Sequence, residues 1–234
     1  ITTDAPLVNG IYRICAGTLV NFNANEGGVG YTYVWDFDGA IPNPGSFEYI
    51  TNAQFNTPGV FTIELQYLTN CCGLGNAGTI QIRVDEQPNM TLTADQNLCF
   101  DESTPIALSA TPLPINGNIT WTLQNGLDRT DSTHVMALPT DSIVYNITMT
   151  DSSGLCSDHG TIAVNLIEIE ATASTTDVIC SADGAISSFV ITGGSGNYTT
   201  TYLGAPVTFP LINLASGTYN IHVLDNVTNC EITE

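Results

Sequence analysis

An alternating pattern that recurs three times, each time leading into a cysteine, limits what this chain can fold into. Gly217-Thr218-Tyr219-Asn220-Ile221-His222-Val223-Leu224-Asp225 reaches Cys230 eleven residues past its tyrosine. Val144-Tyr145-Asn146-Ile147-Thr148-Met149-Thr150-Asp151 reaches Cys156 at the same distance, and Gly59-Val60-Phe61-Thr62-Ile63-Glu64-Leu65 reaches Cys72 from Phe61. Self-similarity at a period of roughly 70–80 residues means an array of small domains. Within each copy every second residue is apolar (Phe61, Ile63, Leu65; Tyr145, Ile147, Met149; Tyr219, Ile221, Val223), the period of a strand with one buried face. The expectation is an all-β chain of three tandem units, over residues 1–86, 87–166 and 167–234.

Composition supports that class. No stretch of helical length shows a 3.6-residue repeat, β-branched residues and tyrosine are abundant, and 21 Gly with 11 Pro punctuate short runs. No run approaches the roughly 18 apolar residues of a membrane span. Three arginines (Arg13, Arg83, Arg129) stand against 23 acidic residues, for a formal charge of −20. That balance repels phosphate backbones and excludes nucleic acid as a partner, while favouring solubility and divalent cations. There is no lysine, so Lys–Asn isopeptide bonds cannot reinforce the fold and covalent reinforcement falls to cysteine. Ile1 is not an initiator methionine, and the third copy has only four residues after Cys230, which reads as a segment of a longer protein whose last unit lacks room for a final strand.

In the first unit, strands are expected at Leu19–Phe22, Tyr31–Phe37, Phe61–Leu68 and Thr79–Val84. In the second they are expected near Met90–Ala94, Ile106–Ala110, Ile119–Leu123, Ile143–Thr150 and Thr161–Leu166. Trp35 and Trp121 then stand on third strands, where an immunoglobulin-like sandwich places a tryptophan between its sheets. Tyr33-Val34-Trp35-Asp36-Phe37-Asp38-Gly39, followed by Thr57-Pro58-Gly59-Val60-Phe61, resembles the PKD domain, with Asp38 where that family has glycine. In the third unit Cys180-Ser181-Ala182-Asp183-Gly184-Ala185-Ile186, Thr192-Gly193-Gly194 and Leu214-Ala215-Ser216-Gly217-Thr218-Tyr219 resemble the repeats of bacterial gliding-motility adhesins. That resemblance implies a large, multi-domain surface protein of the Bacteroidota, exported by type IX secretion. The fold class expected is three tandem immunoglobulin-like or PKD-like β-sandwiches.

Signals of chemistry are sparse. Gly73-Leu74-Gly75-Asn76-Ala77-Gly78 matches a dinucleotide fingerprint, but Thr79–Val84 after it alternates as a strand rather than opening a helix, so it reads as a hairpin loop with no cofactor. His134, His159 and His222 share no motif, and Ser195 is not in a nucleophile elbow because Asn197 replaces the second glycine. No enzyme activity is expected. Asp36 with Asp38, Asp128 with Asp131, and Asp151 with Asp158 are paired carboxylates in turns that Ca²⁺ could recruit, though none has a calcium-loop spacing. Calcium is the one cofactor these residues suggest.

Seven cysteines without C-x-x-C spacing indicate disulfides and an oxidising, extracellular compartment. Cys15 to Cys72 and Cys99 to Cys156 are each 57 positions apart and Cys180 to Cys230 are 50 apart, which leaves Cys71 as the odd cysteine. Two pairings remain open. Symmetry suggests bonds within each unit, but in an immunoglobulin-like sandwich the two cysteines of one unit lie at opposite poles, about 20 Å apart for strands of six or seven residues. A disulfide permits a Cα separation of about 4.4–6.8 Å. The alternative joins Cys15 to Cys156 and Cys99 to Cys230, with Cys72 and Cys180 reaching towards further domains.

The function read from the sequence is a structural and adhesive segment of a large cell-surface protein or appendage. Its partners would be neighbouring domains of the same chain, further copies through self-assembly, and a cell-surface or polysaccharide ligand. The competing reading is an accessory module of a secreted polysaccharide- or protein-degrading enzyme, since PKD-like domains also accompany such enzymes.

Overall fold

The computed structural model describes residues 1–24, 31–39, 48–69, 73–113, 117–178 and 183–234, and every helix or strand among them is a strand. The first sandwich contains β1 (Thr2–Thr3), β2 (Leu7–Val8), β3 (Ile11–Cys15), β4 (Leu19–Asn23), β5 (Tyr31–Asp36), β6 (Tyr49–Gln54), β7 (Gly59–Thr69) and β8 (Gly73–Asp85). One sheet runs β1-β4-β6 and the other β2-β3-β8-β7-β5. Alternation sets which side chains meet between them: Val20 and Phe22 of β4, Tyr33 and Trp35 of β5, and Ile63 and Leu65 of β7 are all buried. Phe22 meets Phe37 edge-on at 4.8 Å between ring centroids, and Trp35 lies 5.7 Å from Phe37, so an aromatic cluster fills the core.

The second sandwich contains β9 (Asn89–Leu92), β10 (Gln96–Cys99), β11 (Ile106–Leu113), β12 (Asn118–Thr122), β13 (His134–Ala137), β14 (Ile143–Thr150) and β15 (Ser157–Ile167). Its sheets run β13-β11-β9 and β10-β15-β14-β12. Trp121 is 1 % exposed, and its indole N–H donates to the Ser132 carbonyl at 2.8 Å. Tyr145 is fully buried and its hydroxyl donates to the Asn125 carbonyl at 2.6 Å. Both aromatics thus bury a large apolar body while the polar tip keeps a partner.

The third sandwich contains β16 (Ile169–Thr176), β17 (Gly184–Gly193), β18 (Tyr198–Tyr202), β19 (Ala205–Pro206), β20 (Leu211–Leu214), β21 (Ile221–Asp225) and β22 (Glu231–Thr233). Its sheets run β16-β17-β20 and β19-β18-β21-β22. These orders are those of immunoglobulin-like sandwiches, with the recurrent alternating strand (β7, β14, β21) inside the larger sheet of each. In the first two sandwiches the last strand is also flanked by a parallel partner, β3 on β8 and β10 on β15.

Two expectations are corrected, and two strands are added that the sequence reading did not include: Cys15 and Cys99 each end a strand of their own, β3 and β10. Gly73–Gly78 is not a hairpin loop but the start of β8, paired with β7 from Thr69↔Gly73 onwards. The Tyr67 ring lies over Gly75, its Cζ 2.7 Å from where a Cβ would stand, so a side chain there would have to push that ring aside. The third sandwich does have a last strand: β22 needs only three residues to pair with β21.

By internal contacts the chain divides into two compact units, Ile1–Thr91 with Pro112–Ile119 and Thr148–His159, and Leu92–Thr111 with Thr120–Ile147 and Gly160–Glu234. The division does not follow the sequence repeat; Cys15 and Cys156 fall in the first of these units and Cys99 and Cys230 in the second.

Candidate functional site

The chemistry of this chain is concentrated where each cysteine is held. In the first compact unit Cys15 ends β3 opposite Asp85 of β8 and is bonded to Cys156, with Cα atoms 5.6 Å apart. In the second unit Cys99 ends β10 opposite Ile167 of β15 and is bonded to Cys230, at 5.4 Å. Each bond links a strand end of one sandwich to the hairpin before the last strand of the next. Cys71, Cys72 and Cys180 lie outside the described residues.

The two hairpins are built alike, around an aspartate five residues before the cysteine. The Asp151 amide donates to the Cys156 carbonyl at 2.9 Å, and the Asp225 amide does the same to Cys230 at 2.8 Å. Asp151 Oδ1 accepts the amides of Leu155 and Cys156 at 3.0 and 3.1 Å, and Oδ2 accepts the Ser153 hydroxyl at 2.6 Å. Burial alone would raise its pKa, but these donors outweigh burial and hold the carboxyl below the usual range.

Asp225 is enclosed completely. Its Oδ1 accepts the Ser195 hydroxyl at 2.7 Å and the amides of Val227 and Thr228 at 2.9 and 3.1 Å, while Oδ2 accepts the Ser195 amide at 2.5 Å. The desolvation this aspartate suffers is overcome by those donors, leaving it ionised far below the ordinary carboxylate range. Gly194 must lack a side chain, because Asp225 Oδ2 lies 2.4 Å from where its Cβ would stand. Ser195 is therefore a turn-fixing donor.

Beside Cys15 stands the other buried charge. Asp85, 8 % exposed, accepts Arg13 Nε at 2.7 Å and Arg83 Nε at 3.0 Å from the two side-by-side strands β3 and β8. The hydrogen bond to Asp85 raises the Arg13 guanidinium further above its ordinary value, against the effect of burial. The equivalent rung in the second unit is neutral, with Asn165 Nδ2 donating to Asn97 Oδ1 at 3.3 Å.

The carboxylates suggested for calcium all accept hydrogen bonds from the protein where the structure describes their partners. Asp36 Oδ1 accepts the Asp38 amide at 2.9 Å, which brings that pair together as a turn. Asp158 does not join Asp151; its Oδ2 accepts the Met90 amide at 3.0 Å and its Oδ1 the His159 amide at 2.9 Å. Asp128 Oδ1 accepts the Met136 amide at 2.7 Å, the main reason its carboxyl sits low, and Oδ2 pairs with Arg129 at 3.0 Å. Among the described residues no three His, Cys, Asp or Glu side chains converge on a common point. The histidines are also separate: His134 meets Thr133, His159 lies between Thr148 and Ser157, and His222 pairs with Glu231 at 3.0 Å.

Sequence reasoning missed Asp225 altogether. The signal was available, since an aspartate precedes the cysteine by five residues in the second and third copies, whereas Tyr67 holds that place before Cys72.

No protein-family model matches the sequence, and no curated protein matches it. Solved structures that it is similar to include Drosophila OTK extracellular domains 3–5, at 12 % identity and TM-score 0.41, covering 95 % of this chain and 91 % of that one. The three N-terminal domains of the bacteriophage RB49 Highly Immunogenic Outer Capsid protein give 13 % identity and TM-score 0.41 over 94 % and 91 %. The N-terminal eight Ig domains of Down Syndrome Cell Adhesion Molecule give 10 % and 0.45 over 100 % of this chain and 41 % of that one. On its own strand order the chain is a tandem of immunoglobulin-like β-sandwiches, with consecutive members joined by disulfides.

Proposed function

We propose that this chain is a non-catalytic, tension-bearing segment of an extracellular surface protein, in which covalent clasps between consecutive sandwiches keep the array from being pulled apart. The observation that carries this reading is the pairing of Cys15 with Cys156 and of Cys99 with Cys230, each bond joining one sandwich to the next. A disulfide that served only to stabilise a core would close within one sandwich. Bonds of this kind persist in oxidising surroundings, which supports a place outside the cell. The resemblance of residues 180–219 to gliding-motility adhesin repeats supports a cell-surface array, with type IX secretion as its export route. The formal charge of −20 supports solubility and argues against an anionic polymer as the ligand.

The test is mechanical. The chain is held by its two ends in an optical trap and pulled with its disulfides intact and after reduction. The expectation is that the reduced chain yields at lower force, in steps that the oxidised chain lacks. Identical force traces would remove the reading.

A further inference from the structure

We propose that the Cys99–Cys230 bond is a releasable clasp, which a small dithiol opens by thiol–disulfide exchange from the cavity beside it, while Cys15–Cys156 stays closed. The two bonds share a plan but differ in their surroundings. At the second, a cavity of about 460 Å³ is lined by both cysteines together with Asp101, Glu102, Glu168 and Glu231. That volume lies within the roughly 300–1,000 Å³ of small-molecule pockets, so it admits a reductant such as dithiothreitol.

The first joint is strapped. Cys156 is 0 % exposed, and the residues after it are tied to the chain between the sandwiches: Gln87 Nε2 donates to the Ser157 carbonyl at 2.6 Å and the Met90 amide to Asp158 Oδ2 at 3.0 Å. At the second joint the Glu168 carbonyl accepts the Gly194 amide at 3.0 Å instead, and Glu231, next to Cys230, pairs with His222 of its own hairpin. Charge differs as well. Beside Cys15, Arg13 and Arg83 offset Asp85, whereas the four charged side chains lining the cavity at Cys99 are all acidic.

The reductant's thiolate attacks Cys99 Sγ, because Cys99 is half-buried and Cys230 is 2 % exposed. The S–S bond breaks with its electron pair on Cys230 Sγ, which takes up the proton that the attacking thiol released, and Cys99 is left in a mixed disulfide. The second thiol of the reductant then loses its proton and attacks the reductant's own sulfur in that mixed disulfide. It closes to a cyclic disulfide and leaves Cys99 as a thiol, so two electrons have passed from dithiol to protein. The acidic lining selects among reductants: a thiol that carries a positive charge is drawn in and one that carries a carboxylate is held out, an effect that salt screens. Opening this bond frees the third sandwich and leaves the first two joined. The use of such a release rests on the tension-bearing reading, whereas the difference in reactivity does not, so a chemical test separates the two.

In that test, free thiols of the folded, oxidised chain are blocked, a limiting amount of dithiothreitol is added, and samples are quenched in acid. The thiols released are alkylated, and Cys15, Cys99, Cys156 and Cys230 are followed by peptide mass spectrometry. Cys99 and Cys230 should become labelled at least about tenfold faster than Cys15 and Cys156. Cysteamine and mercaptoacetate, each normalised to its rate on a small neutral disulfide, then probe the charge. Cysteamine should be favoured at Cys99–Cys230 by at least about fivefold at low salt, and both Glu102→Gln with Glu168→Gln and about 1 M salt should narrow that ratio. Equal labelling of the two bonds, or faster loss of Cys15–Cys156, overturns the proposal. So does a ratio that the two substitutions leave unchanged, since the thiol would then not pass through this cavity.

Discussion

Replacing Asp225 by asparagine tests whether a buried carboxylate organises the third sandwich. The side chain is fully enclosed and accepts four hydrogen bonds, three of them on Oδ1 and one, from the Ser195 amide, on Oδ2. An asparagine with its oxygen in the Oδ1 place keeps three bonds in weaker neutral form and turns an NH₂ group against the Ser195 N–H. A buried donor stranded in this way costs about 1–3 kcal/mol, and losing charge assistance on the others adds about 1–2 kcal/mol more. The sum, about 2–5 kcal/mol, lies at or above the upper end of what most single substitutions do. In a domain of this size each kcal/mol moves the melting midpoint by about 4–8 °C, so the third-sandwich transition in calorimetry of the full chain should fall by at least about 8 °C.

The pH dependence supplies a second readout. A carboxyl whose folded pKa is depressed contributes stability that is fully present above its unfolded value of about 3.9 and is lost as pH falls through the folded value. The difference in midpoint between the natural chain and Asp225→Asn should therefore be constant near neutrality and shrink below about pH 4. A midpoint within about 2 °C of the natural chain at pH 7, or a difference that grows in acid, would refute the reasoning.

Two further substitutions probe the other sandwiches. Trp121→Ala empties a site that is 1 % exposed and should cost about 3–5 kcal/mol in denaturant unfolding, with loss of the Ser132 contact; a cost below about 1 kcal/mol would show the indole is not a core anchor. Arg13→Ala leaves buried Asp85 with only the more exposed Arg83 and should destabilise the first sandwich by about 1–3 kcal/mol, whereas Arg83→Ala should cost under about 1 kcal/mol; the reverse order would contradict the geometry.

Strands long enough to alternate were legible in the sequence. Ile143–Thr150 alternates over eight residues and is β14 to the residue, and Trp35 and Trp121 stand buried on the strands where their flanking pattern puts them. β3 and β10 were not legible, although β4 and β12 of similar length were, because they are held by parallel pairing with β8 and β15, contacts some 70 residues away in sequence. Cysteine connectivity was undetermined for a related reason: equal spacings are a property of one repeat, and bonding is a property of how consecutive repeats meet. The acidic turns show the limit most clearly. Asp151 and Asp158 read in sequence only as nearby carboxylates, and the backbone amides that each accepts are visible only once their partners in space are known.

The two disulfides overlap along the chain, one spanning residues 15 to 156 and the other 99 to 230. Overlap makes the covalent graph shorter than the polypeptide. From Cys15 a route crosses to Cys156, runs back along the backbone to Cys99 and crosses again to Cys230, so it contains only the 57 residue steps from Cys156 to Cys99. At about 3.5 Å per extended residue that route is about 200 Å long, against about 750 Å for the open backbone from Cys15 to Cys230. Even with every sheet undone, the oxidised stretch from Cys15 to Cys230 becomes taut at about a quarter of its contour length, so it fails short, and its sandwiches remain near enough to one another to refold in place.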